Sequence, residues 1–206
     1  MWESRKMIIT APQHHALSTH LVVTVLAGDR RIWITAPQAV YMAIAALVTP
    51  EEIRGSHATY THLRPTRWRV CAVTSTHLAF VELEFDGEDY DAEEERKRLN
   101  PERRGYREPP ASAMVVSAWA RPLATALKLR AAEISRDHPT EGGGFRLGRI
   151  VIEFADGTIA PAEGVFSCPT QRAEGDSDRW DDFIAAIRRG SPYLTVELEP
   201  GDRRYE

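Results

Sequence analysis

Long hydrophobic runs are missing from this sequence of 206 residues. The longest, Ala39–Val48, has ten residues, half of the roughly 20 that a bilayer-spanning helix requires, so it reads as a buried helix and no membrane span is expected. The stretch from Met1 to Met7 is polar and charged, without the continuous apolar core of a secretory signal, and cytoplasmic residence is the default expectation. Cysteine is scarce: Cys71 and Cys168 stand far apart and form no C-x-x-C pair, which argues against a disulfide scaffold or a zinc ribbon. Lysine is nearly absent, with Lys6, Lys97 and Lys128 the full set, so the positive charge is almost all arginine. With 26 basic against 30 acidic residues the net charge is -4, the wrong sign for a protein whose affinity comes from phosphate neutralisation, and no nucleic-acid partner is expected.

Catalytic signatures are missing too. There is no H-E-x-x-H, no G-x-S-x-G, and no lysine follows Gly142-Gly143-Gly144 to make a P-loop of it, so no cofactor is expected. Those glycines read as a connector. Cys71, between Val70 and Ala72 in a strand pattern, reads as a buried thiol.

What is present is a globular composition, 43% apolar and 27% charged, enough for a sizeable core. Leu21–Leu26 and Arg31–Thr35 flank Gly28-Asp29 and predict a hairpin. Pro37–Val48 follows as an apolar helix. Thr49-Pro50-Glu51-Glu52 carries the residues of a capped helix start, stopped at Gly55. Ser56–Thr66 is polar and reads as an irregular boundary. Arg67–Val73 and Leu78–Phe85 read as strands, the second with Val81, Leu83 and Phe85 on one face and Glu82 and Glu84 on the other. Residues 86–110 form a charge-dense insertion in which Asp91 caps a helix to Leu99, supported by Glu93–Lys97 and Glu94–Arg98 at i,i+4. With only Leu99 apolar, that helix is expected to lie in solvent. Met114–Ala120 is a strand, and Leu123–Ile134 serves helix or strand equally. Asp156-Gly157 between Leu147–Phe154 and Thr158–Ala160 predicts a hairpin with a two-residue turn. Trp180, Phe183, Ile184 and Ile187 fall at i, i+3, i+4 and i+7, one stripe of a helix that Gly190 and Pro192 end. Tyr193–Glu199 is a last alternating strand.

Two short strings recur: Ile9-Thr10-Ala11-Pro12-Gln13 at Ile34–Gln38, and Ser18-Thr19-His20-Leu21 at Ser75–Leu78. Their intervals differ, so they define no repeat unit.

The order over Arg67–Phe85, Met114–Ile134, Ile150–Ala160 and Arg179–Arg189 resembles the bacterial pleckstrin-homology-like fold, a bent sheet or barrel closed by one C-terminal helix. The resemblance covers roughly 60% of the chain by element pattern rather than by motif. It leaves residues 1–65 unexplained, and a strand follows the closing helix. The loop expected to carry a phosphoinositide-binding basic motif holds Thr74, Ser75, Thr76 and His77, so that ligand is not implied. What the resemblance implies is a binding or assembly domain without catalysis.

Seven histidines remain to be placed, six of them before residue 80, and three recur as Thr-His-Leu: His20, His62 and His77. If those segments neighbour one another, three imidazoles could hold a metal ion; without a metal-binding spacing, the plainer reading is three histidines flanking strands. Glu82 and Glu84 could divide acid and base roles, but alternation explains them as a solvated face. Trp33, Trp68, Trp119 and Trp180 are expected in the core. Arg103, Arg104 and Arg107 beside Tyr106 could meet an anionic partner, though neighbouring acids offset them.

The expected architecture is an α+β protein. A hairpin-and-helix segment over 1–65 packs on a pleckstrin-homology-like domain over 66–200, a bent antiparallel sheet or partly open barrel with a C-terminal amphipathic helix. The expected function is non-catalytic binding or assembly with a protein partner. A symmetric homodimer is one way to hide the apolar helix at Ala39–Val48. The alternative is a metal-dependent enzyme built on His20, His62 and His77.

Overall fold

A computed structural model describes residues 8–27, 30–100, 111–136, 145–161, 166–167 and 176–198. The protein is mixed α+β, with three sheets and an amphipathic C-terminal helix. None of the sheets closes into a barrel among the described residues.

The chain opens with α1 (Ala11–His20), a helix the composition hides because it buries only Leu17. Its start is nevertheless written in the sequence. Thr10 caps it, Pro12 sits in the first turn, and Gln13 returns the bond to the Thr10 amide at 3.1 Å. The second copy of Ile-Thr-Ala-Pro-Gln also precedes a helix, α2 (Gln38–Ala45), but in a different register: Pro37 stands at the N-cap and no side-chain cap bond forms. The recurring string thus lies before two helices, and only its first copy makes a capping box. Between the helices lies the expected hairpin, β1 (Val22–Ala27) paired antiparallel with β2 (Arg30–Thr35). A short 3₁₀ turn, Pro50–Glu52, replaces the expected helix, and Thr49 makes no side-chain cap bond.

Ser56–Thr66 is not irregular. Residues Gly55–Thr61 form β3, the first strand of a meander with β4 (Thr66–Val73), β5 (His77–Phe85) and β6 (Ala113–Pro122). The sheet therefore begins one strand earlier than Arg67, and its first hairpin loop spans His62 to Pro65. The position 65/66 lies between two strands that pair with each other. Polarity misleads here because β3 buries Gly55, Ser56 and His57, of which Gly55 and His57 pack against the C-terminal helix and Ser56 is hydrogen-bonded to His20.

Both faces of β4 and β5 are buried, and alternation divides their residues between two cores. Trp68, Val70 and Ala72, with Val81, Leu83 and Phe85, meet Val40, Tyr41 and Ile44 of α2 and Leu17 and Leu21 near α1. The apolar helix is thereby covered within one chain. Cys71, Val73, Leu78 and Phe80 point the other way, into a core shared with the second half of the chain.

That half holds β7 (Ala126–Arg136), β8 (Phe145–Phe154), β9 (Ile159–Ala160) and β10 (Phe166–Ser167), followed by α4 (Asp176–Gly190) and β11 (Thr195–Leu198). The order is β10-β8-β7-β11, with β9 also on β8, and β11 runs parallel to β7. The ambiguous Leu123–Ile134 segment is thus mostly strand. Its hairpin partner turns through three residues, Ala155-Asp156-Gly157, rather than two: the Phe154 amide donates to the Thr158 carbonyl and Gly157 takes φ 77°. A left-handed residue closing a three-residue loop is the usual alternative to a two-residue turn, and glycine adopts it without strain.

The stripe on α4 forms as read: Trp180, Phe183, Ile184 and Ile187 are buried. The insertion helix α3 (Ala92–Leu99) buries no residue. Asp91 caps it through the Glu93 and Glu94 amides at 2.8 Å, and the pairs Glu93–Lys97 and Glu94–Arg98 form at 3.4 and 3.2 Å. Glu95 ties it to the body by accepting the Gln38 amide at 2.8 Å. No helix among the described residues is long and apolar enough to cross a membrane.

Candidate functional site

A cleft of about 180 Å³ opens where α1, β1, β3 and α4 converge. One wall is residues 22–24 of β1, the other residues 56–60 of β3, and Trp180 and Arg179 of α4 close one end. The convergence depends on Gly55. A Cβ there would lie 2.8 Å from both the Asp182 carbonyl oxygen and the Phe183 Cα, so only glycine lets β3 approach the backbone of α4 this closely.

His20 and Ser56 pin the two walls together. The Ser56 hydroxyl donates to the His20 carbonyl oxygen at 2.9 Å, and its oxygen lies 3.2 Å from His20 Nδ1. A hydroxyl has one proton, and the carbonyl takes it, so the ring nitrogen is the donor in the second contact. Burial, then the Arg179 guanidinium, hold the imidazole below its usual pKa, against a smaller opposing effect of Asp182. His20 is therefore mostly neutral near pH 7 and spends its Nδ1 proton on Ser56. A serine activated for attack needs the reverse arrangement, with the imidazole accepting.

His57, the next residue along β3, sits behind this pair in an aromatic nest. Its ring lies 4.9 Å from Trp180, 5.7 Å from Phe183 and 6.3 Å from Phe166, centroid to centroid. Burial drives its pKa down to about 4, so the ring is neutral under ordinary conditions. Trp180 Nε1 donates to the Leu147 carbonyl at 2.6 Å, which fixes the indole between α4 and β8. Tyr60 donates to Asp89 at 2.9 Å; burial, then that bond, push its phenol upward. Arg179 donates to the Val22 carbonyl at 3.2 Å, and its guanidinium lies 5.2 Å from the centroid of the Trp33 ring. Trp33 is 55% exposed, a correction to its expected place in the core, and it forms a shelf for the arginine instead.

The Thr-His-Leu histidines occupy separate places. His20 belongs to the cleft. His62 follows β3, its ring 6.5 Å from that of Tyr60. His77 opens β5, with Nδ1 2.9 Å from Thr76 Oγ1. Among the described residues no group of three or more His, Cys, Asp or Glu side chains is placed to hold a metal ion.

Glu82 and Glu84 do not form a solvated face. They lie directly across from Arg69 and Arg67 on β4 and pair with them, Arg69–Glu82 at 3.0 Å, and Glu82 is 9% exposed. A groove of about 310 Å³ runs over this ladder past Ser117 and Phe80. It is larger than the cleft, but its charges already answer one another. Cys71 is fully buried and its thiol pKa is pushed up, which makes it unreactive. The triple glycine, Cys168 and the Arg103–Arg107 cluster lie outside the described residues.

Ser56, Tyr60 and Arg179 were not singled out by sequence reasoning, and His57 was only counted. The one local signal was the run Gly55-Ser56-His57, which looked like a polar linker. No family model matches this chain, and neither the curated proteins nor the solved structures yield a match.

Proposed function

We propose that the chain is a non-catalytic binding module of the pleckstrin-homology-like type, with the cleft between β1, β3 and α4 as its recognition site. The order of elements supports the type: a four-stranded antiparallel meander, a second antiparallel group in β7, β8 and β10, then a helix packed back across β3. The N-terminal hairpin and α2 are additions that cover the outer face of the first sheet.

The observation that carries the binding role is the direction of the Ser56–His20 hydrogen bonds. The cleft offers two imidazoles, a hydroxyl and a guanidinium, yet each is committed to a structural partner or kept neutral, an arrangement that recognises without reacting. A thermal-shift screen with amino acids, nucleotides, sugars and short peptides, followed by mass spectrometry of each hit, tests this. Binders are expected to raise Tm and to be recovered chemically unchanged. A hit that is consumed in proportion to enzyme and time refutes the reading.

A further inference from the structure

His57 is 8% exposed, and among the described residues neither of its ring nitrogens makes a hydrogen bond. Its neighbours cannot supply one: Phe183 and Phe166 have no polar side-chain atom, and the Trp180 indole proton is spent on Leu147. The nitrogens are not sealed off either, as the partnerless hydroxyls of Tyr41 and Ser191 are. The opening that His57 lines is the cleft. A neutral imidazole carries one donor and one acceptor, and here both are left to whatever enters. Buried polar groups are nearly always paired, so a pair kept open in a cleft points to an occupant.

The rest of the lining narrows its chemistry. His20 spends its Nδ1 proton on Ser56, which leaves Nε2 as an acceptor and calls for a donor on the ligand. The Arg179 guanidinium is held by the Val22 carbonyl and lies against the Trp33 ring. Trp180, Val22, Val23 and Ala58 make the apolar surface. The cleft of about 180 Å³ is slightly larger than the cavity of about 150 Å³ that takes benzene, so it holds one ring or two fused rings. β1 and β3 come within 8 Å of each other, Cα to Cα, less than the about 9.6 Å that a peptide strand inserted between them would need. A flat molecule fits where a strand does not.

We propose that the cleft takes an uncharged planar nitrogen heterocycle of nucleobase size, held by hydrogen bonds to His57 and His20. This inference rests on the reading of the chain as a binding module with this cleft as its site. A lactam ring carries N–H donors and carbonyl acceptors around one flat perimeter, so it answers the nitrogens of His57 and still gives a proton to His20 Nε2. A carboxylate of the same size has no proton to give and would face the His20 lone pair. A hydrocarbon ring would leave the His57 nitrogens unanswered, at the cost of a buried unpaired group.

The test uses the full chain with ¹⁵N-labelled histidine, titrated up to the solubility limit with uracil, hypoxanthine, 1,3-dimethyluracil and benzoate. Dimethyluracil keeps the shape of uracil and removes both N–H donors; benzoate replaces them with a negative charge. Uracil or hypoxanthine is expected to shift the ring nitrogens of His57 and His20, and dimethyluracil and benzoate to bind at least about tenfold more weakly. His57→Leu is expected to weaken binding of the base about tenfold, and His57→Gln, which keeps a donor and an acceptor, to retain most of it. Dimethyluracil or benzoate binding as well as uracil, or no shift at His57 with either base, overturns the proposal. Wild-type protein alone decides that point, so a variant that fails to fold does not blur it. Other small molecules bound and recovered unchanged, with no response to the bases, would sink the heterocycle and leave the binding module standing. A base consumed in proportion to protein and time would sink the module itself.

Discussion

Protonating His57 should cost this protein a measurable part of its stability. In the unfolded chain its imidazole titrates near pH 6.5, whereas in the fold burial among Trp180, Phe183 and Phe166 holds it at about 4. Between those values the unfolded state binds the proton and the folded state does not, so stability falls as pH falls. The decline begins near pH 6.5 and ends near pH 4, and the full gap corresponds to about 3 kcal/mol. From pH 7.5 to pH 5 the loss works out at about 2 kcal/mol, since at pH 5 the unfolded ring is almost fully charged and the folded one almost fully neutral. His20, also lowered by burial and by Arg179, adds a contribution of the same sign. The measurement is urea unfolding at the two pH values, followed by tryptophan fluorescence, for wild type and His57→Leu. The variant removes the titrating group and keeps an apolar side chain in the nest. It should lose about 2 kcal/mol less than wild type over the same interval, whatever its stability at pH 7.5. Equal losses in the two proteins would refute the argument that this ring is buried neutral.

Gly55→Ala places a methyl group against the backbone of α4, where neither neighbour can yield, and should destabilise by about 2 kcal/mol; a melting curve matching wild type would show that β3 and α4 are farther apart than described. Asp91→Ala removes both cap bonds of α3 and should cost about 1 kcal/mol, read as faster amide exchange at Glu93–Glu95 with little change elsewhere. Trp180→Phe keeps most of the ring packing but leaves the Leu147 carbonyl without its donor, for a loss of about 1–3 kcal/mol in chemical denaturation. In a Cys168→Ser background, Cys71 should react with a disulfide reagent only as fast as the protein opens, and readily once unfolded.

Much of the architecture could be read from pattern because the pattern had one cause. The period of 3.6 in Trp180, Phe183, Ile184 and Ile187, the capped and charge-paired α3, and the hydrophobic runs of β4, β5 and β8 all reflect a single local requirement. Where two requirements met, the reading failed. The helix α1 buries one leucine, so periodicity was silent, and its capping box was noticed only as a recurring string. The strand β3 is polar at its buried end because Gly55 must admit the backbone of α4, Ser56 bonds to His20 and His57 packs among aromatic rings, which removes the aliphatic alternation that marks a strand. Trp33 reads as core because it sits inside a predicted strand, whereas its exposed ring lies against Arg179. The cleft was illegible for a further reason: its residues come from positions near 20, 56 and 180, and what unites them is a hydrogen bond to a main-chain carbonyl, which no side-chain motif records.

The division of β4 between two cores gives its pairing an unusual guarantee. A slip of one residue along β5 would turn every side chain to the opposite face. In most sheets the penalty is paid on one side, by apolar groups sent into water. In β4 it would be paid on both: Arg67 and Arg69 would enter the layer now filled by Trp68, Val70 and Ala72, while Trp68 would replace an arginine opposite the acidic side chains of β5. The ladder of Arg67–Glu84 and Arg69–Glu82 and the aromatic packing of Trp68 thus encode the same alignment twice, once in charge and once in shape, and an error that one tolerates the other rejects.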